Sequence, residues 1–338
     1  EMKKLLYSIA ALLLCSLAHS QEADNLGSYA EVKLISRLDL KPSYYFGDSE
    51  MGFDFGNSLF CTTFEGSASE HFSWFVCNQW VSSDGIKWPY QNLGRSDEIN
   101  WLNYCYADIS FGNWTLTLGK DFISTGGFEL DEWDWDVYSA VSSPYFDGLS
   151  CYQWGGKLSY TLPSETNTFS LQMVSSPYGE HPFSSNLWAY SAEWRAEYDH
   201  FATIWSYSAL ESEKNSFEKV LTLGTQVYLG DWTLTIDYFN NVGFYTDGDW
   251  SIAPGDTYQA RVQYAPSEKY DVSLRSTYTT ADKNGILPES YKVAAVAQFY
   301  PIVDSQSLRL HATAGYDSLL DSFSVMLGAK YEFSLKLW

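Results

Sequence analysis

Past its first twenty residues the chain has no apolar run approaching 18 residues, which excludes a membrane-spanning helix from the rest of it. Positive charge is scarce: 20 Lys+Arg stand against 42 Asp+Glu, a net charge of −22. Acidity of that order excludes nucleic acid as a partner, because it repels a phosphate backbone. The five histidines stand in no recognisable Ser/His or paired-carboxylate motif, so the sequence names no catalytic residue and gives no sign of an enzyme. No ordered ligand spacing marks a metal site, and no cofactor motif is present. Cysteine is limited to Cys15, Cys61, Cys77, Cys105 and Cys151. Cys61 and Cys77 flank an expected turn at 66–70 and could pair; the other reading makes them small apolar residues of a wall.

What is abundant is aromatic. The chain holds 14 Trp, 26 Tyr and 20 Phe, yet its mean hydropathy is only −0.24. Aromatic richness without a hydrophobic helix fits a large β-rich soluble protein or a transmembrane β-barrel. The N-terminal MKKLLYSIAALLLCSLAHS has a basic start, a short apolar core and small residues at Ala18 and Ser20. That is the pattern of a signal peptide over 1–20, with the mature domain at 21–338.

The mature sequence alternates apolar and polar residues again and again. In DWTLTIDYF, Trp232, Leu234, Ile236 and Tyr238 share one face, and Thr233, Thr235 and Asp237 take the other. Sixteen such segments are expected, near 28–40, 53–64, 70–81, 98–110, 113–121, 150–162, 166–176 and 187–199, then 200–210, 217–229, 231–240, 257–265, 269–279, 290–300, 306–316 and 322–333. All ten prolines fall between them on this reading. Connectors after even-numbered segments are short, such as Gly112-Asn113 and Gly230-Asp231; those after odd-numbered ones are generally long and polar. The fold class that follows is all-β: a transmembrane antiparallel barrel of sixteen strands, with short periplasmic turns and long extracellular loops. Trp114 and Trp232 then stand at the first outward position above a two-residue turn, where an aromatic girdle belongs.

Two stretches carry a family resemblance. GNWTLTLGKDFISTGGFE (112–129) resembles the fifth strand and entry to the constriction loop of Gram-negative outer-membrane porins, especially the porins O and P. SVMLGAKYEF (324–333) is similar to their terminal strand signature, although SLKLW continues beyond the expected end. The resemblance implies a general diffusion porin of the outer membrane, surrounded by its lipid, that passes small hydrophilic solutes and ions. It also implies recognition of the last strand by the barrel assembly machinery and a homotrimer.

The longest connector, 122–149, is the expected loop 3, folded into the lumen. Gly126 and Gly127 permit a sharp departure from the strand. Glu129, Asp131, Glu132, Asp134 and Asp136 follow; in an extended segment Glu132, Asp134 and Asp136 share one side, and Trp133 and Trp135 take the other. The tryptophans would pack on the wall while the carboxylates meet water. Basic residues read as inward form an arc on the expected last strands and the first: Arg261, Arg275, Lys292, Arg309, Lys330, Lys33 and Arg37. Base on the wall and acid on the loop would set a transverse field with mild cation preference, or the bases would simply neutralise inward acids such as Asp39 and Asp317. Two rival functions stay open. Trp133, Trp135, Tyr138 and Tyr145 could be the aromatic track of a carbohydrate channel, or the barrel could be a non-conducting scaffold or secretion partner.

Overall fold

A computed structural model describes residues 28–82, 85–86, 101–133, 136, 141–144, 146, 149–179, 184–240, 256–281 and 288–337. The expected signal peptide lies outside these residues, as does most of the long connectors expected at 82–97 and 241–256. Sixteen long strands form one antiparallel sheet. They are β1 (Tyr29–Tyr45), β2 (Leu59–Ser69), β3 (Phe72–Ser82), β4 (Leu102–Phe111), β5 (Trp114–Phe122), β6 (Tyr152–Thr161), β7 (Asn167–Ser175) and β8 (Trp188–Tyr198). The ring continues with β9 (Phe201–Glu213), β10 (Ser216–Leu229), β11 (Trp232–Asn240), β12 (Thr257–Ser267), β13 (Tyr270–Thr279), β14 (Ser290–Phe299), β15 (Leu308–Asp317) and β16 (Ser322–Lys336). Each strand pairs with the next, and β16 pairs back onto β1 through Leu34↔Phe333 and Leu40↔Leu327. The sheet closes on itself and leaves no edge.

Period two decides what faces where. On β11, Trp232 and Ile236 are exposed on the outer surface, whereas Thr235 and Asp237 are buried on the inner one. On β15, Leu310 is exposed while Arg309, His311 and Thr313 are buried. Aromatic rows mark both ends of the outer face. Next to the short turns, the cross-strand neighbours Trp114, Tyr160, Phe169, Trp194 and Trp205 form one row on β5–β9. Next to the long loops, Tyr238, Tyr258, Tyr278 and Tyr291 form another on β11–β14. From Tyr270 to Tyr278 a strand climbs eight residues, about 26 Å at ~3.3 Å per residue. A tilt of about 40° reduces that to about 20 Å along the barrel axis, near the ~25 Å apolar band of a membrane-spanning barrel.

Both Gly-Asx pairs make two-residue turns, with Gly112 at φ 60° and Gly230 at φ 64°. Trp114 and Trp232 sit just above them, each packed on the tyrosine opposite: Trp114 on Tyr160 at 4.7 Å and Trp232 on Tyr264 at 4.6 Å between ring centres.

Three expectations need correction. The second strand starts at Leu59 and not at 53, because Glu50–Asp54 folds back along the top of β1 and Gly56, at φ 54°, turns the chain before β2 begins. β1 correspondingly runs to Tyr45. Two prolines lie inside strands: Pro42 where β1 meets that ribbon, and Pro266 at a bulge in β12, two places where a missing N–H is tolerated. The last strand does not end at Phe333; Leu335 and Lys336 pair with Val32 and Glu31 at the start of β1. Of the two readings of the cysteines, the wall is the one observed: Cys61 and Cys77 are thiols buried in an inward apolar patch with Ile35, Leu59 and Phe75.

Glycines separate turn strain from wall packing. A methyl at Gly112 meets open space, so Gly112→Ala carries only the left-handed backbone penalty, about 1 kcal/mol. A methyl at Gly328 collides with Asp39 and His311, so Gly328→Ala should lose about 2 kcal/mol or more. Urea titration from phospholipid vesicles measures both; equal losses would contradict the inward packing at Gly328.

Candidate functional site

Loop 3 leaves β5 at Ile123 and returns at Cys151. Its exit is fixed by β7, where Gln172 accepts from the Ser124 N–H at 2.8 Å and donates to the Phe122 carbonyl at 2.8 Å. Gly126 and Gly127 stand at φ 75° and 85°, and side chains there would strike Ser206 on β9 and Phe239 on β11. Those glycines therefore serve close approach to the wall as well as the turn. Asp237 of β11 then accepts from the backbone N–H groups of Phe128 and Glu129 at 2.9 and 3.0 Å. Glu129 is buried and accepts from the returning limb (Ser143 N–H, 2.8 Å) and from Gln259 of β12 (2.9 Å). Around these bonds, Ile123, Leu130 and Leu149 of the loop bury against Val174, Leu210 and Phe239 of the wall. Each such side chain removed from lumenal water stabilises the docked loop by about 1.5–3 kcal/mol.

The described acids beyond Glu129 pair with wall cations, and Asp131 and Asp136 also stay about 40% exposed. Asp131 pairs with Arg195 of β8 at 2.7 Å. Glu132 accepts from Arg261 of β12 and from Arg275 of β13, the latter at 2.6 Å. Asp136 accepts from Arg309 of β15 at 3.1 Å and Lys330 of β16 at 2.9 Å, while its carbonyl accepts from Arg37 of β1. Arg37 also pairs with Asp39 at 2.9 Å, and His311 lies 2.7 Å from the other oxygen of Asp39. Among the described residues, five of the seven arc bases thus reach the loop. Lys33 instead pairs with Glu65 at 2.8 Å and Lys292 with Asp317 at 3.8 Å, both within the wall. The two arrangements expected separately, loop acids facing basic wall and bases neutralising wall acids, occur side by side.

Trp133 turns away from Glu132 and packs on Phe75 of β3 and Tyr104 of β4, with ring centres 5.6 and 5.4 Å apart. Tyr106 and Tyr152 extend that inward aromatic patch. Asp134, Trp135, Tyr138 and Tyr145 lie outside the described residues. Trp114 and Trp232 are on the outer surface and take no part. Sequence reasoning missed Asp237, Gln259, Phe75 and the apolar inward residues, and its basic arc did not include Arg195. Their signal was available in principle: Phe239 and Leu210 are large apolar residues at positions whose alternation faces inward.

No family model matches the chain, and no curated protein matches it. Solved structures do. An anion-selective porin from Comamonas acidovorans is similar with a TM-score of 0.62 at 10% identity, covering 90% of this chain and 100% of that one. A triple mutant of the Rh. blastica porin has a TM-score of 0.56 at 13% identity, covering 89% and 100%. A loop-deletion mutant of OmpT, an outer membrane protein of Vibrio cholerae, has a TM-score of 0.54 at 11% identity, covering 90% and 99%. At such identities the likeness is one of fold: the chain has the closed antiparallel barrel of porins.

Burial pushes the Glu129 carboxyl above its ordinary value of 4.5, outweighing its hydrogen bonds and the nearby Arg275. The folded protein therefore keeps this proton where the unfolded chain has released it. Its contribution is full below 4.5 and is lost as pH rises through the folded value. Glu129→Gln mimics the protonated form, so wild type should lose stability relative to Glu129→Gln as pH is raised from 4 to 8. Urea midpoints that shift in parallel for both proteins would contradict this.

Proposed function

We propose that the chain is an outer-membrane porin through which small hydrophilic solutes and ions cross by passive diffusion. The observation that carries this reading is the acidic loop, folded inside a closed barrel and held there by a basic wall. Such an interior offers hydrated charged groups to a polar solute and nothing to replace the water lost by an apolar one. Asp131, Glu132, Asp134 and Asp136 would form the acidic side of the constriction, with Glu129 buried behind them. Lys33, Arg37, Arg261, Arg275, Lys292, Arg309 and Lys330 form its basic side. The net charge of −22 supports a mild cation preference. Under this proposal the N-terminal segment directs export, the last strand is read by the barrel assembly machinery, and the protein assembles as a homotrimer. The protein is a channel, and no catalytic residue is assigned.

One observation favours a second reading. Loop 3 contacts reach β1, β3, β4, β7–β13, β15 and β16, and Arg37, Arg275 and Arg309 are each under 5% exposed. A loop tied to so much of the wall suits a plugged barrel that serves as scaffold or secretion partner. A third reading, carbohydrate passage along an aromatic track, is favoured by the patch that Trp133 shares with Phe75 and Tyr104.

Planar-bilayer recording of the purified protein separates the three. The porin reading expects steady conductance and a reversal potential of cationic sign in a salt gradient. Neutralising Glu132 and Asp136 together, with Glu132→Gln and Asp136→Asn, should lower the cation-over-anion permeability ratio by about twofold or more. A silent barrel would sink the porin reading in favour of the scaffold, and conductance blocked by oligosaccharides would favour the sugar channel.

A further inference from the structure

On the outer wall, β5–β10 carry a feature that the channel does not use. Outward residues on these strands align in registered rows. One row is the aromatic one beside the short turns. The next runs Leu158, Leu171, Ala192, Tyr207 and Leu221, each opposite its neighbour on the adjacent strand. Four of these five are large, and Ala192 is a single methyl between Leu171 and Tyr207. The gap opens a groove of about 630 Å³ whose exposed lining is almost wholly apolar, bordered by Trp194 and Trp205. A volume of that size falls within the ~300–1,000 Å³ of sites that hold a small ligand.

The groove lies in the hydrocarbon band, on the half of the barrel nearest the short turns. Its lower lip is polar: Trp194 donates its indole N–H to Asn167 at 3.0 Å, and Asn167 donates to the Tyr198 hydroxyl at 3.0 Å. The turns below it, at 112–113, 162–166, 199–200 and 230–231, contain no Lys or Arg. They present Glu165, Asp199 and Asp231 to water. An apolar slot above a polar lip and an anionic rim matches a molecule with a hydrocarbon tail and a head group bearing a cation.

We infer that this groove is a binding site for one phospholipid, with an acyl chain seated over Ala192 and an amine-bearing zwitterionic head group at the acidic turns. Leu171 and Tyr207 flank the chain, and Trp194 and Trp205 stand nearer the turns, where their amphipathic edges meet the interface. Anionic phospholipid is disfavoured by the rim. The inference rests on the membrane-spanning reading of the barrel, not on conduction.

The test uses the full-length protein, folded into vesicles of phosphatidylethanolamine and phosphatidylglycerol in equal amounts, extracted in mild detergent, and weighed by native mass spectrometry. Wild type should retain phosphatidylethanolamine in preference. Ala192→Trp fills the groove and should reduce that retention by about fivefold or more, while Ala314→Trp, outward on β15, should leave it unchanged. Ala192→Leu, a smaller filling, should give an intermediate loss and serves if the tryptophan variant does not fold. Equal retention by the Ala192 variants and wild type would overturn the site. So would equal loss in Ala314→Trp, preference for phosphatidylglycerol, or no retained lipid at all. If Ala192→Trp dissociates an oligomer without altering lipid retention, the groove is a contact between copies and the inference fails. A protein that does not enter vesicles removes the membrane reading itself; one that inserts and retains no lipid removes only this site.

Discussion

The constraint on which everything else depends is that no backbone N–H or C=O can face hydrocarbon unpaired, since each would cost several kcal/mol. The β1–β16 ladder satisfies it by closing the sheet, from Glu31↔Lys336 to Tyr45↔Ser322. Closure also explains why the chain continues beyond Phe333: without Leu335 and Lys336, the first residues of β1 would lack partners on one side. An even ring of antiparallel strands then fixes two rims. Period-two alternation assigns every strand residue to lipid or lumen, so Trp232 and Asp237 differ in environment although five residues apart on one strand.

Inside the ring, the position of loop 3 is decided by packing more than by charge. Ile123, Leu130 and Leu149 each contribute about 1.5–3 kcal/mol by leaving water. The ion pairs at Glu132 and Asp136 contribute little net stability, because bringing guanidinium and carboxylate out of water offsets most of their attraction. Their effect is directional. A displaced loop would break the bonds that Glu132 makes with Arg275 and Asp136 makes with Arg309, and breaking an ion pair at an almost fully buried guanidinium is costly. Apolar contact places the loop, and the charges set its register against the wall.

Much of this was legible in the sequence. The strand count, the alternation, the Gly-Asx turns and the inward parity of Arg261, Arg275 and Arg309 all follow from local rules that the barrel does not override. The fold-back of Glu50–Asp54 onto β1 was not legible, because that pairing depends on tertiary contact and not on pattern. Nor was the tie between Asp237 and the loop backbone, since the two are 108 residues apart in the chain. Apolar inward residues such as Phe239 were not read as a docking surface, because period two gives the face of a residue and not what packs on it. Their presence on β7–β11 is the mark of a wall built to receive a loop.

The central claim is that the acids of loop 3 contact wall cations directly, and a double-mutant cycle on Glu132 and Arg275 tests it most directly. Glu132→Gln, Arg275→Gln and the double variant would be compared with wild type by reversible urea unfolding from vesicles. Direct contact predicts a coupling energy of about 1–3 kcal/mol between the two sites. Additive effects, with coupling below about 0.5 kcal/mol, would place the loop acids away from the wall and contradict the account.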